Sequence, residues 1–118
     1  MAAEKTVLEC ARKLADTLGA CKIAYNESAS GVAATTTATP TSGKSIRVKA
    51  VVVCTSGTTN GTWELKQNST TIMKAILTNT TTFIGPISFE GAVNDTFTLV
   101  TSAVSAQICD VMLLYQEF

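Results

Sequence analysis

Apolar and polar residues alternate along much of the region from residue 44 to residue 77, which predicts β-strands with one buried and one exposed face. The alternation is clear at residues 44–49, becomes a continuous apolar run at residues 50–54, and returns at residues 62–68. β-branched residues are frequent here and favour the pleated backbone. We therefore expect this region to form the centre of a β-sandwich that the rest of the chain covers.

Further short segments with strand-like patterns follow, and turn residues separate them. Asn60 and Gly61 readily take the positive φ angles of a tight turn, so we expect a hairpin between the strands on either side of them. Gly85 and Pro86 predict a break or bulge. Short strands at regular spacing indicate a sandwich or a barrel, here of about seven or eight strands. The alternation predicts a core of Ile46, Val48, Val52, Trp63, Leu65, Ile72, Phe89, Phe97, Leu99, Val111 and Leu113.

Residues 3–18 have the apolar spacing of an amphipathic helix, and Gly19 follows where a C-terminal cap is expected. Two interpretations are open for its apolar stripe. The helix packs on its own sandwich, or it is an arm that docks on a neighbouring subunit. For the second interpretation, the candidate partner-binding residues are Val7, Leu8, Ala11, Leu14 and Leu18.

The segment after the helix is rich in Thr, Ser and Ala, and residues 28–43 carry no charge. On composition it is a linker, although residues 20–25 are compatible with a short strand and residues 32–39 with an edge strand that ends at Pro40. We therefore predict two regions. Residues 1–43 form an N-terminal helix and a Thr/Ser-rich extended arm that serves assembly, and residues 44–118 form the β-sandwich domain.

Length and charge narrow the functional classes. A chain of 118 residues makes one domain with a single core. Its formal net charge of +0 supplies no basic field for a phosphate backbone, so we expect no nucleic-acid partner. The charge-poor stretches are too short or too rich in Thr and Ser to span a bilayer, and no secretory signal is visible, so we expect no membrane partner.

The residues that carry catalysis or hold metals are sparse. The sequence has no His, and Cys10, Cys21, Cys54 and Cys109 are too far apart for a zinc site, so we expect no metal and no cofactor. Reduced, buried thiols are the favoured interpretation, with a Cys54–Cys109 disulfide as the remaining option.

Paired carboxylates are the one open route to hydrolysis, because a glycosidase needs two of them facing across a cleft. The candidates are Glu64, Glu90, Asp95 and Asp110. Carboxylates on exposed sheet faces are far more common, so we expect that this chain is not an enzyme.

A resemblance covers about two thirds of the chain. It is carried by the strand and turn patterns of residues 46–53, 61–66, 69–72, 83–91, 95–99 and 111–115. In these patterns the chain resembles the small jelly-roll proteins of tailed bacteriophages that decorate or cement the capsid. The resemblance implies a jelly-roll-like antiparallel β-sandwich, preceded here by the predicted helix and arm.

The same resemblance implies a structural role in the virion, assembled in the host cytoplasm, with the major capsid protein as partner and a homo-oligomer, a trimer being favoured. The alternative is a receptor- or glycan-binding jelly-roll module of a phage spike or fibre. An exposed aromatic cluster around a groove would favour that alternative, whereas an isolated, buried Trp63 would favour the capsid role.

Overall fold

The computed structural model describes residues 22–118, and every regular element among them is a β-strand. The predicted helix, with its candidate partner-binding residues, lies outside the described residues. The strands are β1 (Lys22–Glu27), β2 (Thr35–Ala38), β3 (Ile46–Thr55), β4 (Gly61–Gln67), β5 (Thr70–Leu77), β6 (Thr82–Ile84), β7 (Phe89–Glu90), β8 (Phe97–Thr101) and β9 (Cys109–Glu117).

The strands form two antiparallel sheets packed face to face, which confirms the all-β sandwich. The five-stranded sheet has the order β1-β9-β3-β6, and β7 pairs with another part of β3. The four-stranded sheet has the order β2-β8-β4-β5. Because β6 and β7 pair with the same strand, they are two parts of one strand interrupted at residues 85–88. Counted in that way, the strand order is consistent with a jelly-roll-like fold.

Alternate residues of the central strands fill the space between the sheets, as the period-two pattern predicts. Ile72 and Phe89 of the predicted core are half-buried and pack against its edge. The buried cluster comprises Ala34, Ala38, Ile46, Val48, Val51, Val53, Trp63, Leu65, Leu77, Phe97, Leu99, Val104, Cys109, Val111 and Leu113.

The prediction of Val52 as a core residue is wrong, because its side chain is buried on the opposite face of the five-stranded sheet. The register of β3 on β9 shifts between Val48 and Ala50, which leaves Lys49 as an extra residue. A bulge of one residue changes which positions point inward, so Val51 replaces Val52 in the core. In the sequence, the bulge falls at the start of the continuous apolar run of residues 50–54. Such a run does not show which of its residues point inward.

Two strands correct the predicted boundary at residue 43. β1 pairs with β9 over its whole length, and β2 pairs with β8. Ala34 and Ala38 are fully buried in the core. The described part of the predicted arm is therefore part of the sandwich, because two of its Ala side chains belong to the core cluster and its Thr residues suit a strand.

The expected hairpin at Asn60 and Gly61 is also wrong. β3 and β4 belong to different sheets, so the intervening residues cross between them. Gly61 is needed for space, since a Cβ there would lie 2.7 Å from Ser102 Oγ. The tight turn is instead at Asn68, which has a φ of 55° and joins β4 to β5.

Candidate functional site

The four carboxylates that could have formed a catalytic pair are separated in the structure. Glu64 lies on β4 of one sheet and Asp110 on β9 of the other. Glu90 accepts a hydrogen bond of 2.7 Å from Arg47 Nε, and Asp95 is held in the turn before β8 by Gln67. Within residues 22–118, no group of three or more metal-ligating side chains comes together. Glu64, Glu90, Asp95 and Asp110 therefore do not form the facing pair of carboxylates that a glycosidase needs.

Cys54 and Cys109 are both free thiols, and they point to opposite faces of the five-stranded sheet. Cys109 is fully buried in the core, whereas Cys54 lies opposite Asp110 on the outer face. Burial, with the nearby Asp110 carboxylate as a second cause, raises the pKa of the Cys54 thiol to about 11. The remaining option of a disulfide between the two is therefore wrong; Cys10 and Cys21 lie outside the described residues.

The outer face of the four-stranded sheet is polar and rich in threonine. Glu64 accepts a hydrogen bond of 2.9 Å from the Thr71 hydroxyl and lies 3.4 Å from Lys66 Nζ. These contacts, the Thr71 bond first, lower the pKa of the Glu64 carboxyl. A shallow depression of about 240 Å³ lies on this face between β5 and β8. Its lining offers hydrogen-bonding groups of both charges, from Thr62, Glu64, Lys66, Lys74 and Ser102.

Trp63 contributes no stacking surface to this depression. Its side chain is 1% exposed and belongs to the core cluster, as its alternation with Leu65 predicts. The Nε1 atom has no hydrogen-bond partner. A buried indole of this kind stabilises the sandwich through its large apolar area. The depression therefore lacks the exposed aromatic ring that a sugar-binding groove of the stacking type uses.

Exposed apolar side chains and a free strand edge occur together on one side of the sandwich. β5 and β6 are the last strands of the two sheets and follow each other in the chain. Ile76 on β5 is 62% exposed, and Phe83 on β6 is 45% exposed. Among the described residues, β5 pairs only with β4. We call β5, β6 and these two side chains the edge surface. Ile76 points to the outer face of the four-stranded sheet and Phe83 to the outer face of the five-stranded sheet, so the two side chains flank the edge on opposite faces. The edge offers backbone groups, with an apolar side chain on either face, to another protein.

A polar cluster holds the C-terminal end of β9. Glu117 accepts 2.6 Å contacts from both Lys22 Nζ and the backbone N–H of Thr41. The Lys22 hydrogen bond, followed by that of Thr41, lowers the pKa of the Glu117 carboxyl to about 2. The cluster ties β1 and the loop before β3 to the last strand.

Sequence reasoning missed Ile76 and Phe83 as surface residues. Ile76 lies opposite Thr62 on the polar face of the four-stranded sheet. The sequence signal for its exposure was its position two residues after Lys74, because alternate residues of a strand share a face. Phe83 lies opposite Val52, on a face that is apolar elsewhere. The predicted partner-binding residues of the helix are outside residues 22–118. In that range the structure contains no helix long and apolar enough to cross a membrane.

Comparisons with known proteins give one structural likeness. No protein-family model matches the chain, and no curated protein matches it significantly. Among solved structures, the chain is similar to the CBM36-1 domain of a multidomain xylanase from the hindgut metagenome of Trinervitermes trinervoides. The identity is 16% and the TM-score 0.44, with 74% of this chain and 71% of that chain covered. A likeness at this level carries no argument about ligand or activity.

Proposed function

We propose that this chain is a capsid decoration, or cement, protein of a tailed bacteriophage. In this role it binds the major capsid protein and other copies of itself, with a trimer favoured, and adds protein–protein contacts to the shell. The proposal takes its starting point from the strand and turn patterns that resemble such proteins. The protein has the jelly-roll-like sandwich that this role implies, and it acts on the virion without a catalytic step.

The observation that carries the proposal is the edge surface. An edge strand with unpaired backbone groups is a template for adding a strand from another chain, and exposed Ile76 and Phe83 add one apolar side chain on each face of this edge. Interfaces between proteins are enriched in such apolar and aromatic side chains. The formal net charge of +0 also suits a protein that works inside a crowded assembly.

The depression on the threonine-rich face supports the alternative, a glycan- or receptor-binding module of a spike or fibre. Thr62, Glu64 and Ser102 offer hydrogen-bond donors and acceptors there. Against this, Trp63 is buried, and the lining contains no other aromatic residue. Sugar recognition on protein surfaces gains much of its affinity from exposed aromatic rings, so we favour the capsid role.

The deciding experiment is to purify the particle that contains this chain and to view it by electron microscopy. The proposal expects an icosahedral head with the chain distributed over its surface. Location of the chain only on tail fibres or spikes would support the alternative. Recovery of the chain only as a free protein, with none in particles, would overturn both proposals.

A variant with Ile76→Lys and Phe83→Ser tests the edge surface. We expect binding to heads that lack the chain to fall at least tenfold, since apolar contacts at an interface centre carry much of the affinity. The control is Val93→Ser, which changes an equally exposed apolar residue in the loop between β7 and β8. Equal binding by the edge variant and the control would place the contact elsewhere on the molecule.

A further inference from the structure

The five-stranded sheet has a second apolar surface on the side away from the core. Ala50 and Val52 of β3, with Met112 and Leu114 of β9, point to this outer face. They are 0%, 6%, 1% and 0% exposed, respectively, although none belongs to the cluster between the sheets. Four apolar side chains on an outer face are thus shielded from solvent.

None of the strands in residues 22–118 packs over this face, because the four-stranded sheet covers the opposite one. The shielding is also local. In the row that runs across the sheet, exposure is 1% at Met112, 6% at Val52 and 45% at Phe83. The cover is therefore centred on β9 and β3 and ends before β6. Two neighbouring strands are about 5 Å apart, so a single helix, about 10 Å across, matches this width.

Cys54 gives an independent indication that water is kept from this face. It lies on β3, two residues beyond Val52, and its Sγ atom is 3.6 Å from Asp110 Oδ2. Its thiol is half-buried, and burial is the largest cause of its raised pKa. The desolvated area therefore extends along β3 toward the end of the strand.

The first described strand begins beside the shielded face. Lys22 begins β1, which pairs with β9 in the same sheet, and Ile23 lies directly opposite Leu114. The sequence predicts a helix over residues 3–18 with one apolar stripe, and 16 residues of helix span about 24 Å. That length is close to the extent of β3 and β9, so one helix can cover the buried patch along the strands.

The charges of the segment and the sheet are complementary. Glu27 and Asp110 are opposite each other at one end of the outer face. The polar side of the predicted helix carries Lys5, Arg12 and Lys13. Basic residues beside an apolar stripe can reach acidic groups at the rim of an apolar patch.

We propose that residues 3–18 of this chain dock on the outer face of its own five-stranded sheet, with the apolar stripe of Val7, Leu14 and Leu18 over Ala50, Met112 and Leu114. The sandwich is then a three-layer unit of helix, sheet and sheet. The apolar residues predicted to bind a partner are occupied within one subunit, which leaves the edge surface for contacts with other proteins. This inference does not depend on the proposed function.

Thiol labelling of the full chain tests the proposal, with peptide mapping to follow each cysteine. We expect slow labelling of Cys54 in the wild-type protein. In the variant Leu14→Ser with Leu18→Ser, Cys54 should react at least about tenfold faster, because access opens and each unit of pKa that is lost raises the thiolate fraction tenfold. The matched control, Glu9→Ser with Asp16→Ser, changes two residues of the polar side that the proposal does not use and should label like the wild type.

Cys109 reports whether the sandwich itself stays folded, because it is fully buried between the sheets. Fast labelling of Cys54 with slow labelling of Cys109 supports docking. Equal Cys54 rates in the wild type and the Leu14/Leu18 variant would overturn it. Light scattering shows whether the protein is an oligomer and whether it dissociates on dilution. If Cys54 becomes reactive as an oligomer dissociates, a second copy covers the face and docking within one chain is wrong.

If the variant loses the sandwich and both thiols react, a measurement on the wild-type chain decides. A carbodiimide couples lysine amines to carboxylates in direct contact, and a mixture of ¹⁴N- and ¹⁵N-labelled protein distinguishes links within one chain from links between chains. We expect Lys5 or Lys13 linked to Glu27 or Asp110 in peptides of a single isotope. Mixed-isotope links, or links from these lysines to the four-stranded sheet instead, would overturn the proposal.

Discussion

Leu99 lies at the centre of the core, fully buried on β8 opposite Leu65. Replacement by Ala removes buried methyl groups and leaves a cavity, so we expect Leu99→Ala to lower the free energy of unfolding by about 2–5 kcal/mol. Val100→Ala is the matched control, because this neighbour points to the polar outer face; we expect a loss of less than about 1 kcal/mol. Urea denaturation measures both, and equal losses would contradict the assignment of faces.

Glu117 should make stability depend on pH. Its folded-state pKa of about 2 lies below the ordinary 4.5, so its contribution is present above about 4.5 and disappears as the pH falls toward 2. We expect Glu117→Gln to melt at a lower temperature than the wild type at pH 6. The difference should shrink between pH 4.5 and pH 2, because protonation removes the same charge from the wild type. A difference that stays constant over this range would show that the Lys22 and Thr41 contacts do not depend on the charge.

Asn68 serves the β4–β5 turn in two ways. Its backbone takes a φ of 55°, and its side-chain Oδ1 accepts a hydrogen bond from the Thr96 N–H at 3.1 Å. We expect Asn68→Ala to lose about 1–2 kcal/mol of unfolding free energy, since it loses the bonds and strains the backbone. Asn68→Gly relieves the strain and should lose less. Denaturation curves of the two variants separate the contributions, and a more costly Gly variant would contradict this account.

At the scale of elements, the bulge in β3 makes the strand respond differently to two deletions. Deletion of Lys49 removes the extra residue and leaves Val48 and Val51 on the core side. Deletion of Val52 either moves Ala50 into the core or turns Val53 outward. We expect the first variant to remain folded and the second to lose most of its stability. Thermal melts with near-UV circular dichroism measure this, and a more stable Val52 deletion would contradict the register.

The sequence predicts an element well when the pattern that marks it lies within the element's own residues. Val111 and Leu113 follow simple alternation, so β9 and its core face were predictable. The sequence predicts β2 only as one of two options, because an uncharged, Thr-rich run looks the same in a linker and in a strand that covers a core. The crossing at Asn60 could not be predicted, because the same residues serve a hairpin or a connection between sheets. The edge surface depends on strand order, which alternation does not specify.

At the scale of the molecule, two truncations should behave differently. Deletion of residues 1–43 removes β1 and β2 and uncovers the core beside Ala34 and Ala38, so we expect an unfolded or aggregated product. Deletion of residues 1–21 keeps every described strand. We expect this shorter variant to retain its circular dichroism spectrum and to bind a hydrophobic dye through the uncovered outer face. A soluble, native-like product of the longer deletion would show that β1 and β2 are dispensable.

The position of β9 also determines when this protein can fold during its synthesis. The last strand of the chain lies between β1 and β3, so neither of these earlier strands has its main partner until the ribosome has made residues 109–117. Contacts between such distant parts of a chain form slowly, and unpaired strands can meet other chains first. The nascent chain therefore emerges with its sheet edges exposed, and the sandwich can be completed only once residues 109–117 are available.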